Sequence, residues 1–423
     1  MNGDLLTLDV TKPAAGGRML ARHEGQVVLV WGAIPGERVR ARIERRGKGV
    51  LYAETVDVLA ASDDRREAVA DWRCGGNVFA HVSYPRQLQL KGEIIRDAFA
   101  RIGRIPLTEA PSITGSPERG YRMRARLHVR GHRIGFIREG THELCAVGPT
   151  QQMLPSTVAW IEAAEAWLRG AGRSGLTSIE LAENVDASER AAHVELEPGT
   201  DAAVFAGLAA GGLTGLSAQV LDRPVTHVLS GVASVSDDVI VEPGEAQVSV
   251  RLRRAPRAFF QANRFLLDTL VRQVTALVGD GPVIDLYAGV GLFGLCLAAD
   301  GSRAVTVVEG DPVCADDLEV NALPLADRVR VMRSSVEDFV ASLAAAPEGS
   351  VIVDPPRTGM SKEALAGVVR LRPRQIAYVS CDVATLARDS RLLVDAGYTL
   401  NGVSGIDLFP NTAHVETLCT FTV

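Results

Sequence analysis

Val283-Ile-Asp285-Leu-Tyr287-Ala-Gly289-Val-Gly291-Leu-Phe-Gly294 decides the architecture. It reads as a buried strand, Val283 to Tyr287, followed by a glycine-rich turn and an Ala/Leu-rich helix. Glycines at that place let the backbone approach a ligand closely, at the end of a first strand and beside a helix N-terminus. Alone, such a turn fits a dinucleotide site equally well, or a plain turn with no ligand. A second strand, Ala304 to Val308, ends in Glu309, placed to hold ribose hydroxyls. A third, Ser350 to Val353, runs into Asp354-Pro-Pro-Arg357, an acidic residue on a rigid loop. Strand and helix patterns alternate from about residue 255 onward, which implies an α/β, Rossmann-like unit with a parallel sheet. Three loops at three strand ends then face one crevice.

Two further stretches carry chemistry. Gln375 to Ser380 reads as a strand, and Cys381 follows it at the same sheet edge with a helix behind. The helix dipole there favours a thiolate, the nucleophilic form of cysteine; a buried inert thiol is the competing reading. Phe409-Pro-Asn-Thr-Ala-His414-Val-Glu416 precedes a last strand, Leu418 to Thr422. A glutamate at a strand entrance near a partly dry pocket is a candidate base with a raised pKa. If the strand starts early, alternation puts His414 and Glu416 on one side. His414 has a supporting role to fill, or a purely structural one.

Upstream, residues 1–62 read as an all-β barrel of the oligonucleotide-binding kind. Gln26 to Trp31 and Arg38 to Ile43 are its clearest strands, and Ala61 to Arg65 is a linker. Residues 63–250 read as a central α+β domain, helical over Arg86 to Ile102 and stranded over Arg124 to Ile137; residues 251–423 form the Rossmann-like domain. The longest run without polar side chains, Ala202 to Leu213, is twelve residues, where a membrane span needs about 20. No charged n-region and apolar h-region open the chain, so a cytoplasmic protein with free thiols is expected. The six cysteines include no C-x-x-C pair.

In this order, Phe259-Phe-Gln261, Asp285 to Gly289, Val308-Glu-Gly310, Asp354 to Arg357, Ser380-Cys381 and His414-Val-Glu416 resemble the RNA uracil-5-methyltransferase family. Gly16-Gly17, Arg22-His-Glu-Gly25 and Ile34-Pro-Gly-Glu37 resemble the TRAM barrel that many members carry. Tyr121 to Arg126 is similar to a stretch of their central domain. The resemblance implies a class I S-adenosylmethionine-dependent enzyme. Gln261, Tyr287, Gly289, Gly291, Glu309 and Asp354 would bind the cofactor, Cys381 would be the nucleophile, Glu416 the proton acceptor and His414 a support. The implied partner is RNA, ribosomal rather than transfer RNA, with no membrane and as a monomer. The other readings are a transfer RNA enzyme, an amine methyltransferase that needs neither Cys381 nor Glu416, and an inactive RNA-binding paralogue.

The chain departs from that family at two places. Many members hold a [4Fe–4S] cluster through a C-x5-CGGC run and a fourth cysteine. Here Ala68, Cys74-Gly-Gly-Asn77 and Thr150 or Cys145 stand in those places, so no cluster and no metal are expected. Asp382-Val383 replaces the usual Asn-Pro after the nucleophile, and an acid facing Cys381 would raise the thiol pKa. The net charge of −6 argues against a nucleic-acid partner only as an average. Residues 18–50, 119–138 and 249–264 together carry twenty Lys or Arg against three Glu, the places where RNA phosphates are expected.

Overall fold

Five strands between Leu5 and Ala60 close into a barrel in the computed structural model, which describes residues 4–68, 70–172, 174–223, 225–241, 247–344 and 349–423. Leu5–Pro13 pairs with both Met19–His23 and Arg38–Gly47, so no edge is left open. Along Arg38–Gly47, Val39 and Ala41 point inward and Arg38, Arg40 and Arg42 point to solvent, the alternation the sequence carries. The expected linker is tied down. Arg65 donates to the buried Glu37 carboxylate, with Nε–Oε1 at 2.6 Å, and Ser83 Oγ donates to Asp64.

The central sheet has seven strands, in the spatial order Thr226–Gly231, Gly215–Val220, Arg190–Leu196, Leu176–Glu183, Arg124–Arg130, Arg133–Ile137 and Leu144–Cys145. Helix Pro155–Gly170 covers one face with Trp160, Ile161, Ala164 and Leu168. On Arg124–Arg130, Ala125, Leu127 and Val129 face that core, which turns Arg124, Arg126 and His128 to the other side.

The C-terminal sheet is doubly wound, in the order Val329–Arg333, Val305–Glu309, Val283–Leu286, Ser350–Val353, Gln375–Ser380, Glu416–Thr422 and Thr399–Ile406. The chain leaves Val283–Leu286 in one direction and returns on its other side, so the crevice lies at the end of that strand. Two segments cross the expected 63–250 boundary. Helix Tyr84–Ala98 packs Ile95 and Ala98 with Leu386, Ala387 and Leu393, and Ile113–Thr114 adds an edge strand beside Gly405–Ile406. The hairpin Val235–Val241 and Val248–Arg254 buries Val239, Val250 and Leu252 against Leu267 and Leu270. Chain order alone misplaces the helix and the edge strand because their partners lie more than a hundred positions away. No helix among the described residues is long and apolar enough to cross a membrane.

Cys74 and Cys145 correct the expectation of free thiols. They form a disulfide with Cα atoms 5.8 Å apart, within the range such a bond spans. The strands explain the meeting: Cys74 bridges to Arg138 and Cys145 lies opposite Phe136, on neighbouring stretches of one sheet edge. The pairing leaves neither thiol for a metal, and Thr150 Oγ1 is spent on the Val147 carbonyl. With Asn77 beside them and the other four cysteines elsewhere, the residues present do not fit a four-thiolate cluster.

Candidate active site

The sheet ends in a cavity of about 720 Å³ that gathers residues from seven segments. Gln261, Tyr287, Gly289, Glu309, Asp354, Cys381 and Glu416 all line it. Gly289 adopts φ +58°, and a Cβ added there would meet only the Phe259 carbonyl at 3.9 Å, so the turn presents bare backbone to the cavity. Tyr287 also has a left-handed φ, +62°. Such a backbone costs roughly 1–2 kcal/mol for a residue with a side chain and concentrates at functional sites. Gly291 is placed differently from expectation. It does not line the cavity; it is the buried N-cap of helix Leu292–Ala298, and a Cβ on it would lie 2.5 Å from Leu295 Cδ1.

Glu309 is oriented by two backbone groups: Oε2 accepts from the Gly289 N–H at 2.7 Å and Oε1 from Asp311 at 2.6 Å. A carboxylate has about four acceptor positions, so capacity remains for a ligand. Asp285, beneath the turn, accepts the Gly294 N–H at 2.8 Å and is pushed up to about 7 by burial, a role in the turn's interior. Glu416 sits close enough to Asp354 to raise it. Burial drives Asp354 well above the carboxylate range, with Glu416 and Asp285 adding to it. Burial lifts Glu416 to about 7, and Arg357 pulls against that rise.

Cys381 follows strand Gln375–Ser380 and precedes helix Val383–Asp395. The dipole argument is outweighed here. Burial and the Glu416 charge push the thiol up to about 12, and only Arg357 beside it acts the other way. Asp382 does not face the thiol. Its Oδ1 accepts the Thr385 N–H at 2.8 Å as the cap of the helix. The substitution of acid for amide at this position therefore preserves a cap.

The segment leading to Glu416 is held from outside. Gln87 and Asn411 exchange two hydrogen bonds of 2.9 Å, and the Phe79 N–H donates to the Asn411 carbonyl at 2.8 Å. These contacts hold Asn411 at φ +65°. Lys91, wholly buried, pairs with the buried Asp407 and donates to the Phe409 carbonyl at 3.1 Å. The last strand starts at Glu416, so His414 lies outside it; its exposed ring sits edge-on to Phe409 with centroids 6.2 Å apart. His414 lines a neighbouring groove with Cys381, not the cavity itself.

Sequence reasoning missed five arginines. Arg122, Arg124 and Arg126 reach the cavity from the central sheet, Arg257 lines it just ahead of Gln261, and Arg357 closes it beside the thiol. The charge-rich windows are also corrected, because most of their arginines have carboxylate partners. Arg126 pairs with Glu195 at 2.6 Å, Arg253 with Asp317 at 2.6 Å, and Arg254 and Arg264 are buried on Asp237 and Glu183. Arginines alternating along a strand meet glutamates on the next one, so a local excess overstates the free positive charge.

The family model described as tRNA (Uracil-5-)-methyltransferase matches residues 245–422, and the TRAM domain model matches residues 1–56. The 23S rRNA (uracil(1939)-C(5))-methyltransferase RlmD of Pseudomonas putida is 31% identical over 98% of this chain and 93% of its own. Its counterpart from Pseudomonas entomophila is 32% identical over 97% and 92%. The crystal structure of Pyrococcus abyssi tRNA (uracil-54, C5)-methyltransferase, in complex with S-adenosyl-L-homocysteine, shares the fold. Its TM-score is 0.76 at 21% identity, covering 98% of this chain and 99% of that one. A barrel of the TRAM type, a class I methyltransferase fold and near-complete coverage lead to one conclusion: the chain is an enzyme of the RNA (uracil-5-)-methyltransferase family.

Proposed function

We propose that this enzyme methylates carbon 5 of a uridine in 23S ribosomal RNA through a covalent Cys381 adduct, with S-adenosylmethionine as donor. The carrying observation is the meeting of Cys381, Glu416 and Arg357 in the cavity that also holds the glycine turn and Asp354. The cavity's size is within the range of small-molecule sites. Gln261, Tyr287, the bare Gly289 backbone, Glu309 and Asp354 would hold S-adenosylmethionine, which supplies an electrophilic methyl group when bound.

Carbon 5 of uracil is a weak nucleophile. The Cys381 sulfur adds to carbon 6, and the π electrons of the 5,6 double bond move to form an enolate whose carbon 5 is nucleophilic. The Arg357 cation beside the sulfur favours the thiolate against the burial that opposes it. Once carbon 5 carries the methyl group, Glu416 takes the remaining hydrogen as a proton. The C–H electrons rebuild the double bond and the C6–S bond breaks, returning the thiolate. The target base reaches Cys381 only if it is flipped out or already unpaired. Ribosomal RNA is favoured by the two RlmD relatives, matched over nearly their whole length. Mapping 5-methyluridine in RNA from a strain lacking the gene tests the target. Loss of one methyl group from 23S rRNA is expected; loss from transfer RNA alone, or no loss, overturns it.

A further inference from the structure

Beyond Cys381 the site continues into a groove of about 530 Å³, which shares Arg122, Arg126, Arg357 and Phe409 with the cavity and ends at Trp31 of the barrel. Trp31 and Glu139 in turn line a third pocket of about 430 Å³ between the barrel and the central domain. Its walls are aromatic. Trp31 and Trp72 have ring centroids 6.1 Å apart, and Tyr52 faces the same space. The Arg45 guanidinium lies 3.9 Å from the Tyr52 centroid, exposed, with no ion-pair partner among the described residues. Arg18 and Arg73, over Trp31 and Trp72, are neutralised by Glu44 and Glu54.

Balanced charge makes this a poor phosphate trap. Planar rings and a planar guanidinium instead offer stacking surfaces to a nucleobase, which bind unpaired bases with little regard to sequence. Glu139 is exposed at the rim, and a carboxylate accepts a hydrogen bond from an exocyclic amino group.

We infer that this pocket seats an unpaired nucleobase carrying an exocyclic amino group, displaced along the RNA from the uridine at Cys381. The inference rests on the RNA reading above. The groove continuous with both sites carries the intervening strand, single-stranded, past Arg122 and Arg126.

The test uses the full-length protein and short single-stranded RNAs, each with one uridine and one 2-aminopurine at successive offsets on either side. Stacking quenches 2-aminopurine fluorescence. Quenching should peak at one offset. Tyr52→Ala should abolish that peak and raise Kd roughly tenfold, while Tyr52→Phe keeps both. Arg45→Ala, at an exposed position where folding is not at risk, should lower the peak as well. A profile flat across offsets, or a peak unmoved by Tyr52→Ala and Arg45→Ala, overturns the pocket. Methyl transfer by the wild-type protein to a 23S rRNA transcript is measured alongside. Transfer with a flat profile refutes the pocket alone; a peak without transfer supports the pocket and counts against the uridine reaction.

Discussion

Lys91→Met removes a single charge from the support of the catalytic loop. Lys91 is fully buried on helix Tyr84–Ala98 and pairs with Asp407, also fully buried, and with the Phe409 carbonyl. Burial pulls the ammonium pKa down and Asp407 pushes it back up. Methionine keeps the apolar stem but leaves a buried carboxylate with no cation. Deleting one member of a buried pair costs about 3–5 kcal/mol. Asp407 Oδ1 keeps the Phe409 N–H at 3.2 Å, but Oδ2 has no partner to fall back on, which places the expected cost near the middle, about 4 kcal/mol. Lys91→Met/Asp407→Leu should regain most of it, because an apolar pair of similar volume is often neutral. Native-state hydrogen exchange of the helix and of residues 407–414 gives the opening free energies for the cycle. Catalytically, kcat should fall more than KM rises, since the loop orients Glu416 and not the RNA. A cost for Lys91→Met below about 1 kcal/mol, or a double variant no better than the single, would refute this account of the clamp.

Glu416→Gln should stop turnover after methylation, lowering kcat by about 10²–10⁴ while the methylated adduct accumulates on denaturing gels. Wild-type kcat should fall as pH drops below about 7, because Glu416 must be ionised to release the adduct and its pKa is raised to about 7; Glu416→Gln should lose that limb. Alkylation of Cys381 by iodoacetamide should keep accelerating beyond pH 9, since burial pushes the thiol up to about 12, and Arg357→Leu should slow it at every pH. Asp382→Asn should leave methyl transfer within about twofold, whereas Asp382→Ala should cost about 1 kcal/mol of helix stability through the lost cap.

The catalytic half of the molecule was readable because its groups sit on consecutive strand ends. Gly289, Glu309, Asp354 and Cys381 each follow a short apolar run, and parallel pairing brings those ends together whatever the rest of the chain does. Tertiary docking supplies what was missed. Arg124 and Arg126 lie on a strand whose own pattern reveals which side they occupy, but not that the side faces Cys381. Arg357 ends the Asp354-Pro-Pro-Arg357 motif, and its orientation across the thiol has no local signature. Lys91 has no local signature of its burial, because its partner Asp407 lies 316 residues later. The Cys74–Cys145 bond was hidden by a separation of 71 residues and by the default of reduced thiols. Gly291 shows the reverse: the motif is local, but it does not reveal that a side chain there would press on Leu295.

The covalent route can be tested by incubating the protein with S-adenosylmethionine and 23S rRNA transcribed with 5-fluorouridine. Fluorine cannot leave as a proton, so Glu416 has nothing to remove and the Cys381–C6 bond stays closed. A denaturation-resistant protein–RNA complex is predicted, with the crosslinked peptide containing Cys381, and none with Cys381→Ala. A Cys381→Ala protein that still methylates carbon 5, or a wild-type protein that methylates normal RNA yet traps nothing, would contradict the mechanism.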